Sequence, residues 1–230
     1  KEGLNALRHS LAHLLAAAVM ELYPETKRTI GPPIENGFYY DFQFKNPITE
    51  EDIPKIEKKM RDILPKWDKF TRSELTASEA KKAFADNPFK KELIDEFTKE
   101  GQKISFYKSG NYVDLCIGGH VSSMKKITPD CFKLTHIAGA YWRGSEKNPQ
   151  LTRIYALAFP TKKELEAHLK MLEEAKKRDH RIIGKQLDLF STHEEGPGFI
   201  FFHPKGVIVI NILKDFMRKE LQKLNYKEIT

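Results

Sequence analysis

The sequence has few cysteines and no long apolar run. Its 230 residues include only two cysteines, too few for a disulfide framework, so we expect a reducing compartment. No apolar stretch is long enough to span a membrane, and the opening KEGLNALRHS lacks the features of a signal peptide. Low-complexity tracts and internal repeats are absent as well. These absences exclude a disulfide-stapled scaffold, a helical membrane anchor and a repeat array within these residues.

The composition is that of a globular chain. Hydrophobic residues make up 40% and charged residues 31%, enough for one sizeable core or two modest ones. The formal net charge of +7 is compatible with a nucleic-acid partner, because Lys and Arg neutralise phosphates. The chain begins without Met and stops at NYKEIT. We therefore expect it to be part of a longer protein.

The first 22 residues predict a helix with an unusual histidine side. Leucines recur at helical spacing through GLNALRHSLAHLLAAAVMELYP, and Pro24 ends the pattern. His9 and His13 are one turn apart, on the side opposite the leucines. No formally charged residue lies between His9 and Met20. We expect this side of the helix to face an enclosed space, such as a sheet or a pocket.

Strands and helices alternate irregularly after this helix. Asn36-Gly37 predicts a hairpin turn before the alternating stretch FYYDFQF. Helices are predicted after Thr49, after a cap at Ser78, and from Lys90 to Lys99. Further stretches predict strands: KFTRSELT, KISFYKSGNYVDLC, FKLTHIAGAYWRG and TRIYALAFP. This order predicts an α+β fold in which an antiparallel sheet packs with helices.

A capping box divides the chain. Thr161 and Glu164 open the charged stretch TKKELEAHLKMLEEAKKRDH, which predicts a mostly exposed helix. We predict a first domain over residues 1–160, a linker helix over 161–185 and the start of a second domain over 186–230.

Two short motifs carry the candidate chemistry. His9 and His13 form H-x-x-x-H, and Cys116 and His120 form C-x-x-x-H about a hundred residues later. Three interpretations are open: a zinc site, because three imidazoles and a thiolate can complete a tetrahedron; metal-free acid–base chemistry in a pocket; or buried residues with only a structural role. The structural interpretation is favoured for any one residue, and two paired motifs favour a site.

Six stretches resemble, in order, those of bacterial-type threonyl-tRNA synthetases: HSLAHLLAAAVMELYP, TIGPPIENGFYYDF, YVDLCIGGHV, IAGAYWRG, RIYALAFP and KRDHRIIGKQLDLF. This resemblance covers nearly the whole chain. It implies that residues 1–160 are the editing domain, 161–185 the linker helix and 186–230 the start of a class II catalytic domain. The ATP and zinc sites of such an enzyme would lie beyond Thr230, so we expect no aminoacylation by this chain.

The resemblance implies hydrolysis of serine wrongly esterified to tRNA(Thr). It assigns the catalytic set His9, His13, Lys90, Asp114, Cys116 and His120. His9 is expected to orient or deprotonate water, Lys90 to hold water or stabilise the oxyanion, and Asp114 to hold the substrate ammonium. Cys116 and His120 would shape the pocket. Without the resemblance, a surface ion pair would be the better interpretation of Lys90 and Asp114.

The resemblance also implies partners and cofactors. Seven cations are candidates for phosphate contacts: Lys125, Lys126, Arg143, Arg153, Lys176, Lys177 and Arg178. The alternative for each is solvated surface, which is favoured for any one lysine. Trp142 is expected in the core rather than as a base-stacking platform. No cofactor is expected to be required, and zinc at the His/His/Cys/His set, as in the related alanyl enzymes, is the alternative that is not favoured. We expect a cytoplasmic location, a monomer for this chain and a homodimer for the whole enzyme.

One loop departs from the family. Ile117 and Gly119 stand where the family commonly has Arg and Pro. Ile117 removes a cation that would contact tRNA, and Gly119 adds backbone freedom. We expect a working but less rigid loop that tolerates restoration of both residues.

Overall fold

The computed structural model describes residues 2–101, 103–227 and 229. It divides into two compact units, Lys1–Ala167 and His168–Thr230. The helices are α1 Glu2–Leu22, α2 Ile53–Ile63, α3 Ala77–Ala83, α4 Pro88–Lys99, α5 Lys162–Lys177, α6 His180–Gln186 and α7 Pro204–Lys223. The strands are β1 Lys27–Arg28, β2 Pro33–Ile34, β3 Gly37–Gln43, β4 Thr71–Glu74, β5 Ser105–Ser109, β6 Tyr112–Leu115, β7 Phe132–Tyr141, β8 Gln150–Ala158, β9 Phe190–Ser191 and β10 Phe201–Phe202.

The first unit is built on two antiparallel sheets. One has the strand order β1-β3-β8-β7, with β2 added to β3, and the other has the order β4-β5-β6. This arrangement confirms the predicted α+β class with antiparallel sheets packed against helices.

Helix α1 lies in the core of the first unit. Every residue from Ser10 to Val19 is buried, so the histidine side of the helix is enclosed as expected. The helix packs on β3, whose alternating Phe38, Tyr40 and Phe42 are buried, and on α2. The buried Ile53, Ile56, Met60 and Ile63 of α2 belong to the same core. These contacts place α1, with its His9–His13 segment, against a sheet and a second helix.

The hairpin at Asn36-Gly37 lies one residue earlier than predicted. Ile34 pairs with Gly37, so the two-residue loop is Glu35-Asn36, and neither Asn36 nor Gly37 has a positive φ. Gly37 is required for a different reason, since a Cβ there would lie 1.8 Å from the carbonyl oxygen of Ala156 on β8. Close approach between strands, and not turn geometry, explains this glycine.

Three predicted helix boundaries are also corrected. Helix α3 is capped by Thr76, in a capping box with Glu79, and not by Ser78. Helix α4 begins at Pro88 behind an Asn87 cap, two residues before the predicted start. The charged stretch after Thr161 forms two helices, because α5 ends at Lys177 and Asp179 caps α6. A single helix over 161–185 is therefore wrong, while the domain boundaries remain predictions.

The second unit is small. It contains the β9–β10 hairpin and α7, and many of its apolar side chains are exposed, among them Phe199, Phe201 and Phe216. None of the described helices is both long enough and apolar enough to cross a membrane.

Candidate active site

A cavity of about 670 Å³ opens in the first unit. Its polar end is lined by six side chains: His9, His13, Lys90, Asp114, Cys116 and His120. Its outer part is largely apolar, lined by Ile30, Pro32, Pro33, Leu93, Phe97 and Ile117. All six residues predicted as catalytic are therefore brought together at one end of a single cavity.

The three histidines form a compact cluster. His9 and His13 lie on one side of α1 with ring centroids 4.9 Å apart, as their spacing of four requires. The ring of His120 lies 4.6 Å from that of His9 and 5.0 Å from that of His13. His13 is buried, and neither of its ring nitrogens has a hydrogen-bond partner in the described structure. Its Nδ1 lies 3.8 Å from Oδ2 of Asp114, beyond hydrogen-bond distance. A buried imidazole without a hydrogen bond points to a ligand or water at this position.

Cys116 sits between two of these imidazoles. Its Sγ is 3.3 Å from Nε2 of His9 and 3.5 Å from Nε2 of His120. The backbone N–H of Gly118 also donates to this sulfur, at 3.3 Å. Because the chain leaves β6 at Leu115, the end of that strand delivers the thiol directly to the histidine side of α1.

The loop after Cys116 has a left-handed backbone at two consecutive residues. Gly118 has φ 101° and Gly119 has φ 89°, values that favour glycine. The far end of the loop is tied to α1, since the N–H of Val121 donates to the Oγ of Ser10 at 3.0 Å. The expected flexibility is therefore limited: the loop is held at the sulfur and at α1, and its shape requires the glycines.

Asp114 is the buried centre of the polar end. Its Oδ1 accepts from the N–H of Leu115 at 2.9 Å and contacts Nζ of Lys90 at 2.8 Å. Its Oδ2 accepts from the hydroxyls of Tyr40 and Tyr112, both at 2.8 Å. A surface ion pair is thus the wrong interpretation of Lys90 and Asp114. The carboxylate is fully engaged, which also argues against its expected role as the acceptor for a substrate ammonium.

Lys90 reaches this carboxylate from α4. The side chain of Asn87 accepts from the N–H of Lys90 and caps the helix, and Pro88 occupies the first turn. Leu93 and Phe97 lie one and two turns further along the same face and line the outer cavity. Helix α4 therefore carries both the cation at the polar end and part of the apolar wall.

Burial keeps the imidazoles and the thiol uncharged at neutral pH. It lowers the pKa of His9 and His13, and it lowers the pKa of His120 to about 3, with the neighbouring His9 adding to the effect. Burial likewise raises the pKa of the Cys116 thiol to about 11. A thiol held protonated is a poor nucleophile, so these shifts favour the imidazoles for proton transfer.

The charged groups beside them behave differently. Burial lowers the pKa of Lys90, and the nearby Asp114 opposes this effect. For Asp114, burial alone would raise the pKa, but Lys90 and Arg28 more than offset it and hold the pKa below its usual range. The carboxylate is therefore ionised throughout the neutral range.

The structure distributes the seven predicted phosphate-binding cations widely. Lys125 and Lys126 are exposed on a 3₁₀ turn, where Lys125 lies 3.6 Å from Asp68. Lys176, Lys177 and Arg178 are exposed near the end of α5, in the second unit. None of these cations lines the cavity.

The two arginines are engaged by carboxylates. Arg143 contacts Glu92 at 2.6 Å and Glu96 at 2.5 Å. Arg153 donates two hydrogen bonds to the buried Asp41, at 2.7 and 2.8 Å, and stacks on Tyr39. These contacts do not favour phosphate binding by either arginine. Trp142 is buried, as expected, and donates to Glu92.

Three residues that hold Asp114 were not predicted from the sequence. Tyr40 was part of the alternating stretch FYYDFQF, and Tyr112 and Arg28 were not singled out. The alternation along β3 could not predict the hydrogen bond from the Tyr40 hydroxyl to Asp114, because the two residues are 74 positions apart. The contact between Arg28 and Asp114 likewise joins two strands that belong to different sheets.

Residues 104–155 match the family model described as Threonyl and Alanyl tRNA synthetase second additional domain. The chain is 53% identical over 220 residues to a Threonine--tRNA ligase of Borreliella burgdorferi. The aligned residues make up 95% of this chain and 38% of that protein. It is 54% identical over 231 residues to the Threonine--tRNA ligase of Clostridium tetani, covering 100% of this chain and 36% of that protein. The chain thus spans little more than a third of these curated relatives.

The matched region contains β5, β6, β7 and the Cys116–His120 loop, and it continues into β8. This match, together with antiparallel sheets packed on helices, shows the fold of the second additional domain of threonyl and alanyl tRNA synthetases. Identity of 53–54% across 95–100% of the chain makes it similar to part of the threonine--tRNA ligases.

The donor set at the polar end is one that zinc uses. One ligand atom from each of His9, His13, Cys116 and His120 lies within 4.8 Å of the others. The unpartnered nitrogens of His13 are compatible with a metal ligand, whereas the protonated thiol would have to lose its proton first. These residues fit a zinc ion in number and type, and they equally fit a water-filled pocket.

Proposed function

We propose that this chain hydrolyses the ester between serine and tRNA(Thr), leaving the threonyl ester intact. The observation that carries this proposal is the convergence of three neutral imidazoles, a thiol and a buried lysine on one end of a single open cavity. The family of the chain supports the substrate, because its curated relatives are threonine--tRNA ligases.

The need for such a reaction is physical. Serine lacks one methyl group of threonine, and a binding pocket gains only about 1–3 kcal/mol from a methyl-sized group. That energy corresponds to roughly 10–200-fold discrimination, which is too little for accurate charging. A second site that admits the smaller residue and excludes the larger one supplies the rest.

His9 is the best placed group for proton transfer. It lies at the cavity wall, it is only partly buried, and its lowered pKa leaves it neutral and able to accept a proton. A water oxygen attacks the ester carbonyl carbon while its proton passes to His9. The tetrahedral intermediate then expels the ribose oxygen, which takes the proton, and serine and the free tRNA end are released.

Lys90 supplies the positive charge for this reaction. Its ammonium borders the cavity, and negative charge develops on the carbonyl oxygen in the transition state. Asp114 anchors that ammonium instead of binding the amino group of the substrate. Cys116, His13 and His120 shape the space around the reacting carbonyl and position water.

The tRNA body would be bound by exposed cations outside the cavity. Lys125, Lys126 and the Lys176–Lys177–Arg178 run are the candidates that the structure leaves most exposed. Such contacts make binding depend on salt concentration. A tRNA substrate is in keeping with the expected cytoplasmic location, and we propose a monomer for this chain.

The direct test is a deacylation assay with serylated and threonylated tRNA(Thr) in parallel. We expect turnover of the seryl ester only, and loss of that turnover in His9→Ala. His136→Ala is the matched control, because His136 is exposed and does not line the cavity. Equal hydrolysis of both esters, or of neither, would contradict the proposal. Tight, salt-sensitive tRNA binding without turnover would instead identify a tRNA-binding module without chemistry.

A zinc-dependent deacylase is the second candidate, and the four clustered ligand atoms favour it. It predicts one zinc ion per chain by metal analysis and loss of deacylation in chelator, restored by zinc. Full activity of metal-stripped protein would reject this candidate and leave the metal-free mechanism.

A further inference from the structure

Asp114 faces two cations and not one. Its Oδ1 lies 2.8 Å from Nζ of Lys90 and 3.3 Å from Nε of Arg28. The side chains of Lys90, Arg28 and Asp114 are 3%, 16% and 0% exposed. The other close donors are neutral: the two tyrosine hydroxyls and the backbone N–H of Leu115. The imidazole of His13, whose Nδ1 lies 3.8 Å from Oδ2, is also neutral, because burial lowers its pKa. A cluster with one negative and two positive charges has a net positive charge. Burying that net charge costs free energy of folding, which suggests that the second cation has a role.

Arg28 is held firmly in place. Its guanidinium lies between the rings of Phe84 and Tyr112, 5.1 Å from each centroid. Its Nη2 donates to the carbonyl oxygen of Val113 at 2.8 Å. Stacking between two rings and a backbone contact leave this side chain little freedom, so its charge has a defined position.

The backbone of Arg28 also contacts the helix that carries Lys90. The side-chain amide of Asn87 donates to the carbonyl oxygen of Arg28 at 2.8 Å. The other end of that amide caps α4 by accepting from the N–H of Lys90. Arg28 therefore contacts both supports of Lys90, namely the carboxylate that binds its ammonium and the residue that caps its helix.

Arg28 does not line the cavity that contains Lys90. We infer that Arg28 is a positioning residue for the proposed hydrolysis. It holds Asp114, which fixes the Lys90 ammonium in place. Because Arg28 also balances part of the negative charge of Asp114, the three groups together keep a net positive charge beside the cavity. This inference rests on the proposed function. A lysine–aspartate pair alone would be neutral and would stabilise a developing oxyanion less than the three-group cluster does.

The test compares charge-removing and charge-keeping variants of the whole chain. With serylated tRNA(Thr), we expect Arg28→Gln to lower kcat by about 10–100-fold and to leave KM within about 3-fold, because the lost effect acts in the transition state. Arg28→Lys keeps the charge, and we expect it to stay within about 5-fold of the wild type in kcat. Arg72→Gln, on exposed β4, is the matched control and should be unchanged. A rise in KM at constant kcat, or full activity of Arg28→Gln, would overturn the inference.

A second comparison shows whether Arg28 acts through Lys90. In a Lys90→Gln background, Arg28→Gln should lower kcat by no more than about 2-fold further, because the group it serves is already gone. Independent, multiplying losses would contradict this. If Arg28→Gln does not fold, Arg28→Met removes the same charge and fills the apolar slot between the two rings.

A readout without hydrolysis separates this inference from the proposed function. Acetylation of Lys90 by acetic anhydride, followed by mass spectrometry, should slow several-fold in Arg28→Gln and not in Arg28→Lys, because one positive charge fewer stabilises the ammonium. If the wild type hydrolyses neither ester, the proposed function fails, and this measurement still tests the effect of Arg28 on Lys90. Unchanged or faster acetylation in Arg28→Gln would show that Arg28 does not act on Lys90.

Discussion

Nζ of Lys90 lies 2.8 Å from Oδ1 of Asp114, and both side chains are buried. The contact joins the helix α4 to the end of β6, where the chain turns into the Cys116–His120 loop. A buried ion pair of this kind stabilises a fold less than apolar packing does, but breaking it by removing one partner is costly. The pair therefore connects the position of Lys90 to the stability of the first unit.

Removing the charge of Asp114 and removing that of Lys90 should lower the free energy of unfolding by different amounts. Asp114→Asn leaves Lys90 and Arg28 buried without an anion, and we expect a loss of about 3–5 kcal/mol in the free energy of unfolding. Lys90→Gln leaves Asp114 paired with Arg28, so we expect a smaller loss of about 1–2 kcal/mol. Urea denaturation of both variants measures the difference. An equal or larger loss for Lys90→Gln would show that Arg28 does not compensate the carboxylate.

Stability should decrease below neutral pH because of the buried imidazoles. Burial lowers the pKa of His9 and His13 and brings that of His120 to about 3. The unfolded chain takes up protons at histidines near pH about 6.5, so it binds more protons than the folded chain between that pH and about 3. Stability is therefore lost progressively as the pH falls through this window.

Urea unfolding at pH 7 and pH 5 tests this pH dependence. We expect the midpoint to fall at pH 5 in the wild type and to fall less in His120→Asn, which lacks one of the buried imidazoles. His136→Asn, at an exposed position, serves as the control and should behave as the wild type does. The explanation is wrong if His120→Asn retains the full wild-type dependence.

The two positions at which the loop after Cys116 differs from the family, Ile117 and Gly119, should respond differently to substitution. The side chain of Ile117 is 79% exposed, so Ile117→Arg should leave both folding and deacylation intact. Gly119 has φ 89°, whereas proline requires a φ near −65°, so Gly119→Pro must reshape the loop that carries His120. This finding corrects the expectation that both family residues can be restored without loss.

Deacylation and urea unfolding of the loop variants provide the measurement. We expect Gly119→Pro to lower kcat on the seryl ester strongly and Gly119→Ala to cost about 1–2 kcal/mol of stability from its φ alone. A Cβ at Gly119 meets only Nδ1 of His9, at an ordinary 3.8 Å. Gly3→Ala adds a methyl to α1 in open space and is the control. Wild-type activity in Gly119→Pro would mean that the loop can adopt a second working shape.

The predicted phosphate contacts should differ among the cations. Lys125→Gln and Lys126→Gln should each reduce the slope of log affinity for tRNA against log salt by about 0.7–0.9, if each neutralises one phosphate. Arg153→Gln should leave the slope unchanged and instead destabilise the sheet, because the buried Asp41 loses its partner. Titrations at several salt concentrations measure the slope. A reduced slope for Arg153→Gln with unchanged stability would contradict this assignment.

Local pattern explains the elements that were predicted correctly. The apolar spacing of α1 and α2 and the alternation of β3 depend on residues a few positions apart, and burial follows the same spacing. The capping boxes at Thr49 and Thr161 are equally local. The error at Ser78 overlooked a local signal, because Thr76 and Glu79 form a capping box three residues apart. At Asn36-Gly37 the contact that requires the glycine is distant, since it involves Ala156 on β8.

By itself, the sequence determined the α+β class, the enclosed histidine side of α1 and the two paired motifs of the candidate site. Only the tertiary structure decided what surrounds them. The contact of Cys116 with His9 spans 107 residues, and that of Arg28 with the carbonyl of Val113 spans 85. Such contacts depend on how separate elements pack, and no spacing along the chain encodes them. For that reason the resemblance in sequence indicated the buried lysine and carboxylate, while the fold alone identified the arginine beside them.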